Sequence, residues 1–229
     1  MTVFIAVLVP HVLLALAGRR DVVPPAFLGA VAWIAGLRVR TAGKPVAARR
    51  RLFLANHLSW LDIPALAGTT GAAFVAHAGL AGHPVLRWLC KQNETVFITR
   101  DRRASVSTQV GQVSGALGGR PLVMFPEGTT GDGTALLPFK SALLSAAEDA
   151  RAGPDALGVQ PVALAYADAP GMAWFGEEPG LRNVVRLLGR LAPLHLTIHF
   201  LDPLQGTRLA DRKAMAAAAQ AAIAHALRL

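Results

Sequence analysis

Cysteine is nearly absent from the 229-residue chain: Cys90 stands alone, so no internal disulfide forms and no cysteine-based metal site can be assembled. Both facts suit a reducing compartment, and Cys90 itself reads as a small core hydrophobe. Charge is also scarce. Charged residues make up 16% of the chain and hydrophobic ones 53%, against the roughly 25% charged that is usual for soluble proteins, and that deficit points to contact with lipid. The scarcer sign is the negative one, since 14 acidic residues face 23 basic ones, for a net charge of +9 and a sequence pI near 11.1. Such a balance suits an anionic partner, either nucleic acid or an anionic membrane surface. Aromatics amount to only 6%, and neither a basic helix with interleaved aromatics nor zinc-finger spacing is present, so no nucleic-acid partner is expected. No H-E-x-x-H or comparable ligand cluster occurs; no metal site is expected, and a metal-dependent phosphoesterase using His57, Asp62, His77 and His83 is a remote alternative. Internal repeats, low-complexity tracts and convincing linkers are missing as well, so a second domain is not expected at this length.

Two apolar runs open the chain. Val3 to Ala17 is broken only by Pro10 and His11 and ends at Gly18-Arg19-Arg20; Val22 to Leu37 follows after Asp21, with Pro24-Pro25 near its start and Trp33 inside it. As a helix at ~1.5 Å per residue, the first run falls short of the ~30 Å hydrocarbon core. If both runs crossed the bilayer, Arg19 and Arg20 would lie on the side opposite the basic cluster from Arg38 to Arg51, which the positive-inside rule disfavours. Residues 1–37 are therefore expected to form a shallow, one-sided helical hairpin. Two other readings compete with it. Runs of this length also occur as buried core helices, and Ala15-Leu16-Ala17 resembles a signal-peptidase site without the preceding basic residues. The run Arg49-Arg50-Arg51 reads as a solvated face that, beside an apolar hairpin, also touches anionic headgroups.

From Leu37 onward short apolar runs alternate with helix-like segments. After the alternating Arg38-Val39-Arg40-Thr41, strands are expected at Leu52 to Ala55, Ala73 to Ala76, Val96 to Thr99, Leu122 to Phe125, Val159 to Ala165 and His195 to Leu201. Helices are expected at Ser59 to Gly68, Val85 to Lys91, Ala104 to Leu117, Phe139 to Ala152 and Arg208 to Leu229, while Trp174 to Leu188 fits no element clearly. Continuous apolar strands say that both faces are covered. The fold class is α/β, with a mostly parallel central sheet flanked by helices and an N-terminal apolar helical hairpin.

In open α/β sheets ligands collect outside the carboxyl ends of strands. Three polar clusters stand at such ends: His57 to Asp62, Arg100, and Pro126-Glu127-Gly128-Thr129. On a continuous helix His57 and Asp62 would diverge by about 140°, so a turn must intervene. Ser59 suits an N-cap, and Ser59-x-x-Asp62 has the outline of a capping box that puts Asp62 in the first helical turn with His57 in the loop before it. The same spacing serves a helix cap alone, and the two roles are compatible. A His held by a carboxylate acts as a general base toward a hydroxyl. No G-x-S-x-G elbow supplies a protein nucleophile, which points to direct transfer onto an incoming alcohol. The glycine-rich loop Phe125 to Gly133 reads either as a backbone cradle for an oxyanion or phosphate or as a tight turn at Asp132-Gly133. Glu127 suits fixing that loop or bonding acceptor hydroxyls. Arg100 suits a phosphate, or else belongs to an ordinary charged loop with Asp101, Arg102 and Arg103.

Asn-His-x-x-x-x-Asp at 56 to 62, Val-Phe-Ile-x-Arg at 96 to 100, Phe-Pro-Glu-Gly-Thr at 125 to 129 and Val-x-Pro-Val at 159 to 162 resemble the four ordered motifs of the glycerolipid acyltransferase family. Within it the likeness is to bacterial 1-acyl-sn-glycerol-3-phosphate acyltransferases. The resemblance implies residues 38–229 as an acyltransferase domain that moves an acyl group from acyl-CoA or acyl-acyl-carrier protein to a lysolipid hydroxyl in phospholipid biosynthesis, without a cofactor. It implies His57 as the base, Asp62 as its orienting carboxylate and backbone amides around the oxyanion. It implies Arg100 as a phosphate ligand and Asn56, Glu127, Gly128, Thr129 and Thr130 as substrate-binding residues. It also implies a place at the cytoplasmic face of the inner membrane, monotopic or shallowly inserted. Non-catalytic membrane binding is a remote alternative. Where many members follow Glu-Gly-Thr with Arg, this chain has Thr130 and then Gly131-Asp132-Gly133. That loop is similar to the one in enzymes acylating another lysolipid, such as lyso-ornithine lipid. His77 also stands where Lys is commoner. 1-Acyl-sn-glycerol-3-phosphate is thus the first expected acceptor, with lyso-ornithine lipid as the alternative.

Overall fold

Short continuous apolar runs become strands because a segment covered on both faces has no polar side to turn to water. The computed structural model describes residues 23–78, 82, 84–98, 106–149 and 156–229. Among them the strands are β1 (Leu37–Ala42), β2 (Arg51–Ala55), β3 (Ala73–His77), β4 (Val96–Ile98), β5 (Leu122–Met124), β6 (Gly158–Tyr166) and β7 (Leu194–Phe200). They join in the order β1-β7-β6-β2-β5-β3-β4. Every adjacent pair is parallel except β6 with β7. The mostly parallel sheet is as expected, and the helices beside it are α1 (Val23–Ile34), α2 (Asp62–Thr70), α3 (Pro84–Gln92), α4 (Val106–Ala116), α5 (Ser145–Asp149), α6 (Ala169–Met172), α7 (Gly180–Leu188) and α8 (Arg212–Leu227).

Strand alternation divides the interior in two. Phe53 and Ala55 of β2 join Leu61, Leu66, Phe74, Val123 and Leu164 on one face of the sheet. Leu52 and Leu54 join Leu122, Met124, Leu144, Val159 and Met215 on the other. Burying both faces of β2 fixes the rim from which Asn56 and His57 emerge.

The first arm of the expected hairpin, Val3 to Ala17 with the turn at Arg19-Arg20-Asp21, lies outside the described residues. The second arm is α1, which packs on α2 through a contact between glycines. A Cβ on Gly68 would come within 2.6 Å of the Gly29 Cα, so α2 tolerates no side chain there, and one on Gly29 would stand at a tight 3.2 Å from the Gly68 Cα. Leu37 does not prolong that helix. Gly36, at φ +86°, turns the chain, and Leu37 is buried as the first residue of β1. Among the described residues no helix is long and apolar enough to cross a membrane.

Three other expectations shift. The helix expected from Phe139 starts later, as a 3₁₀ turn at Ala142–Leu144 followed by α5, because the Phe139 and Lys140 amides donate to Gln220 Oε1 and Pro126 O instead of to a helix. The closing helix starts at Arg212, where the Asp211 carboxylate accepts from the Lys213 and Ala214 amides as an N-cap. The unassigned stretch Trp174 to Leu188 contains α7. The basic cluster, finally, is not one surface. His195, the partner of Arg38, stands level with position 167 of β6, whereas Arg51 stands level with Gly158. That separation is roughly 30 Å at ~3.3 Å per strand residue. Arg38 is thus at the end of the sheet that carries His57, and Arg49 to Arg51 are at the other, where Arg50 Nε donates to Leu117 O.

Candidate active site

Three central strands, β2, β5 and β6, end together at one rim, and each supplies part of a polar cluster. After β2 the chain turns through Asn56 to Leu61 before α2 begins at Asp62. The turn exists because the Asp62 carboxylate folds back on it. Oδ2 accepts from the Leu58 amide at 2.7 Å and the Ser59 amide at 2.9 Å, which is the carboxylate arm of a capping box. The other arm is not formed: Leu61 occupies the N-cap, and the Ser59 hydroxyl accepts from the Leu61 amide at 3.4 Å. The same Oδ2 lies 2.8 Å from His57 Nδ1. Asp62 therefore ties down the turn ahead of the helix and holds the imidazole at once.

A carboxylate accepts, so Nδ1 is the donor in this pairing and Nε2 keeps its lone pair. Asp62 is fully buried while the His57 side chain is 18% exposed, so the ring is supported from behind and open in front. It also stacks on Phe125 of the neighbouring loop, with centroids 4.0 Å apart and planes 14° from parallel. Tyr166, at the end of β6, donates its hydroxyl to Asp62 Oδ1 at 2.5 Å. Four donors thus converge on the carboxylate, three at Oδ2 and one at Oδ1. Burial, and next the charge and hydrogen bond of Asp62, push the Tyr166 phenol well above its usual range, so it stays a neutral donor. Sequence reasoning missed Tyr166. The available signal was that it is the chain's one tyrosine and ends an apolar strand.

The loop after β5 is tied to the first by Glu127. Its Oε1 accepts from the His57 amide at 2.7 Å and its Oε2 from the Leu137 amide at 2.8 Å. In return the Gly131 amide donates to His57 O at 2.9 Å. Desolvation pushes the Glu127 carboxyl up despite these two amides. Asn56 is a second strut, fully buried, with Nδ2 donating to Leu164 O and Oδ1 accepting from the Leu164 amide. The amide heads of Asn56 and the carboxylate of Glu127 are thus engaged with backbone, which gives both residues a positioning part. Gly128, at φ +73°, turns the loop with its amide on Phe125 O, and the Lys140 ammonium lies 3.1 Å from where a Cβ on Gly128 would be. Thr129 is exposed, and the Thr130 hydroxyl donates to Trp174 O. Because the Gly128 and Gly131 amides are paired within the protein, the expected backbone cradle does not draw on those two. Arg100 lies outside the described residues, as does His83. Among the described residues no three metal-ligating side chains cluster.

Beside His57 a cavity of ≈ 180 Å³ is lined by Glu127, Gly131, Leu164, Tyr166 and Arg228, among others. It is smaller than the roughly 300–1,000 Å³ of pockets that enclose a drug-sized ligand. The arrangement can take a proton from a hydroxyl at His57 Nε2.

Known acyltransferases resemble this chain. The chain is 34% identical over 212 residues to the lyso-ornithine lipid O-acyltransferase of Brucella abortus, covering 87% of this chain and 79% of that protein. It is 39% identical over 121 residues to a 1-acyl-sn-glycerol-3-phosphate acyltransferase of Neisseria gonorrhoeae, covering 52% of this chain and 46% of that one. The crystal structure of the 1-acyl-sn-glycerophosphate acyltransferase PlsC from Thermotoga maritima has the same fold, with a TM-score of 0.65 at 19% identity over 93% of this chain and 81% of that one. Residues 38–165, which include His57, Asp62 and Glu127, match the family model described as Acyltransferase, and the chain belongs to that family.

Proposed function

We propose that this acyltransferase moves a fatty acyl group from a thioester donor, acyl-CoA or acyl-acyl-carrier protein, to the free hydroxyl of a lyso-ornithine lipid. His57 Nε2 removes the hydroxyl proton as the oxygen attacks the thioester carbonyl. The tetrahedral oxyanion then collapses, the C–S bond breaks, and the departing thiolate takes the proton back from the imidazolium. Asp62 holds Nδ1 throughout, with Tyr166 behind it. Asn56 and Glu127 position the two loops, and Gly128, Thr129 and Thr130 border the acceptor.

The observation that carries the choice of acceptor is Thr130. Its short neutral side chain bonds Trp174 O, so at the position where many relatives have Arg this loop supplies no guanidinium to a phosphate dianion. The nearby Lys140 ammonium suits the single negative charge of an amino-acid carboxylate. The relative from Brucella abortus, matched over most of both chains, carries the same acceptor in its name. The second reading keeps 1-acyl-sn-glycerol-3-phosphate as acceptor, in line with the shorter match to the Neisseria enzyme. We place the reaction at the cytoplasmic face of a membrane, on the strength of the excess basic charge and the lipid acceptor.

A substrate panel tests this. Purified protein is offered lyso-ornithine lipid, lysophosphatidic acid and other lysolipids, each with both donors, and products are followed by mass spectrometry. The expected result is preferred acylation of lyso-ornithine lipid. Turnover of lysophosphatidic acid with none of lyso-ornithine lipid overturns the choice of acceptor.

A further inference from the structure

The end of α8 completes the wall of the cavity beside His57. That helix lies along the sheet on a buried stripe of Met215, Ala216, Ala219 and Ile223. Met215 belongs to the core cluster of Leu52 and Val159, residues at the start of β2 and β6, and further along the Gln220 side chain accepts from the Phe139 amide in the loop after β5. From Arg212 to Leu227 the helix spans ~24 Å at ~1.5 Å per residue, close to the ~30 Å of the nine-residue strand β6 at ~3.3 Å per residue. Ala226 and Arg228 thereby arrive beside Tyr166 at the end of β6 and line the same cavity as His57 and Glu127.

The turn that closes α8 puts an arginine where glycine is usual. The Arg228 amide donates to His225 O at 3.2 Å and the Leu229 amide to Ala224 O at 3.0 Å, the paired bonds of a helix-ending turn whose left-handed residue is most often glycine. Here that residue is Arg228, at φ +58°, a conformation that is costly for a residue with a Cβ. Packing does not repay that cost, because the Arg228 side chain is exposed and, among the described residues, its guanidinium makes no hydrogen bond or ion pair. Arg186 and Arg190, in contrast, are paired with Glu178 and Asp168. Among the described residues that line the cavity, Arg228 is the only Lys or Arg. We propose that the Arg228 guanidinium binds the carboxylate of the amino-acid acceptor and so helps to select it. This contact rests on the acceptor proposed above. A guanidinium meets a carboxylate through two parallel N–H···O bonds, and one cation matches its single charge. Thr130 leaves the loop after β5 without a guanidinium, so the charge at the cavity comes from α8 instead, and Lys140, over Gly128, adds to the same field without lining the cavity.

Glycine at position 228 separates the turn from the charge, since it suits the left-handed conformation and deletes the guanidinium. Arg228→Gly is expected to leave the melting temperature the same or higher. Its KM for lyso-ornithine lipid should rise about tenfold with kcat close to that of the parent protein, the mark of lost binding. Arg228→Lys should recover part of the affinity, as a cation without the planar fork, and KM for the acyl donor should stay the same in both variants. The methyl ester of lyso-ornithine lipid has no carboxylate charge. The parent protein is expected to acylate it as poorly as Arg228→Gly acylates the free acid, and the variant should lose nothing further on the ester. Equal KM values for the free acid in the parent protein and Arg228→Gly overturn the proposal. So does a rise confined to acyl-CoA, which would put the guanidinium on the donor's phosphates. A parent protein that acylates lysophosphatidic acid and not lyso-ornithine lipid overturns the acceptor itself, before any variant is compared, and this contact with it.

Discussion

The two loops that meet at His57 hold their polar groups in opposite ways. In the loop after β2 the acceptor and most of its donors are neighbours: Asp62 takes the amides of Leu58 and Ser59 and the ring of His57, all within five residues. In the loop after β5 the acceptor reaches outward, as Glu127 takes the amides of His57, 70 residues away, and Leu137, ten away. The first loop builds the reacting group and the second fixes where that group stands. Damage to the first should therefore strike the chemical step, and damage to the second should loosen the geometry at lower cost in rate.

The largest effect is expected from His57→Ala, which removes the base and should lower acyl transfer by ~10²-fold or more. The ring is partly exposed, so the melting temperature should stay close to that of the parent protein; wild-type-like turnover would break the comparison at its first term. Asp62→Asn comes next. An amide has one acceptor oxygen and brings two donors, which face donors already present. A loss of ~10²-fold in rate is expected, together with about 1–3 kcal/mol of stability from buried groups left unpaired. Calorimetry beside steady-state kinetics separates this double signature from the purely kinetic one at His57.

Glu127→Gln sharpens the contrast from the other loop. One of the two amides must then face an NH₂ group, so the strut fails at one end, and roughly a tenfold loss in rate is expected for a misplaced but intact base. The pH signature is specific. Burial raises the folded-state pKa of Glu127 above the ordinary 4.5, so its contribution to stability is fully present below that value and is lost as pH rises through the raised one. The substitution should flatten this part of the stability profile, read as melting temperature against pH from the carboxylate range upward. An unchanged slope would show that Glu127 is not the group responsible.

Legibility in the sequence followed the same division. Local arrangements were readable: the apolar runs marked the strands, and the Ser59-x-x-Asp62 spacing pointed to a helix start with His57 ahead of it. Contacts between distant segments were not. Nothing in the spacing tells that Tyr166 lies on Asp62, 104 positions away, or that Asn56 serves the backbone of Leu164. The grouping of Arg38 with Arg49 to Arg51 failed for a related reason. β1 runs parallel to β7, which alone is antiparallel to its other neighbour β6, and no local pattern encodes that reversal. The late start of α5 depended on acceptors at Pro126 and Gln220, outside the segment that looked helical.

The smallest effect is expected from Tyr166→Phe, which tests whether the first loop is as self-contained as its geometry suggests. The substitution keeps the ring in the core beside Asp62 and deletes only the donor to Oδ1, leaving the other donors to Asp62 in place. A buried hydrogen bond to a charged group is worth about 1.5–3 kcal/mol, so the melting temperature should fall. The rate should drop only several-fold, because Oδ2 and not Oδ1 holds the imidazole. That drop should appear in kcat with KM unchanged, since the hydroxyl is bonded to the carboxylate and not offered to substrate. The phenol is pushed well above its ordinary range, so it does not ionise at working pH, and the alkaline limb of the rate profile should be the same with and without it. A shifted alkaline limb would mean that Tyr166 exchanges protons during turnover, and the base would then have to be treated as a chain of groups running from β6 through Asp62 to His57.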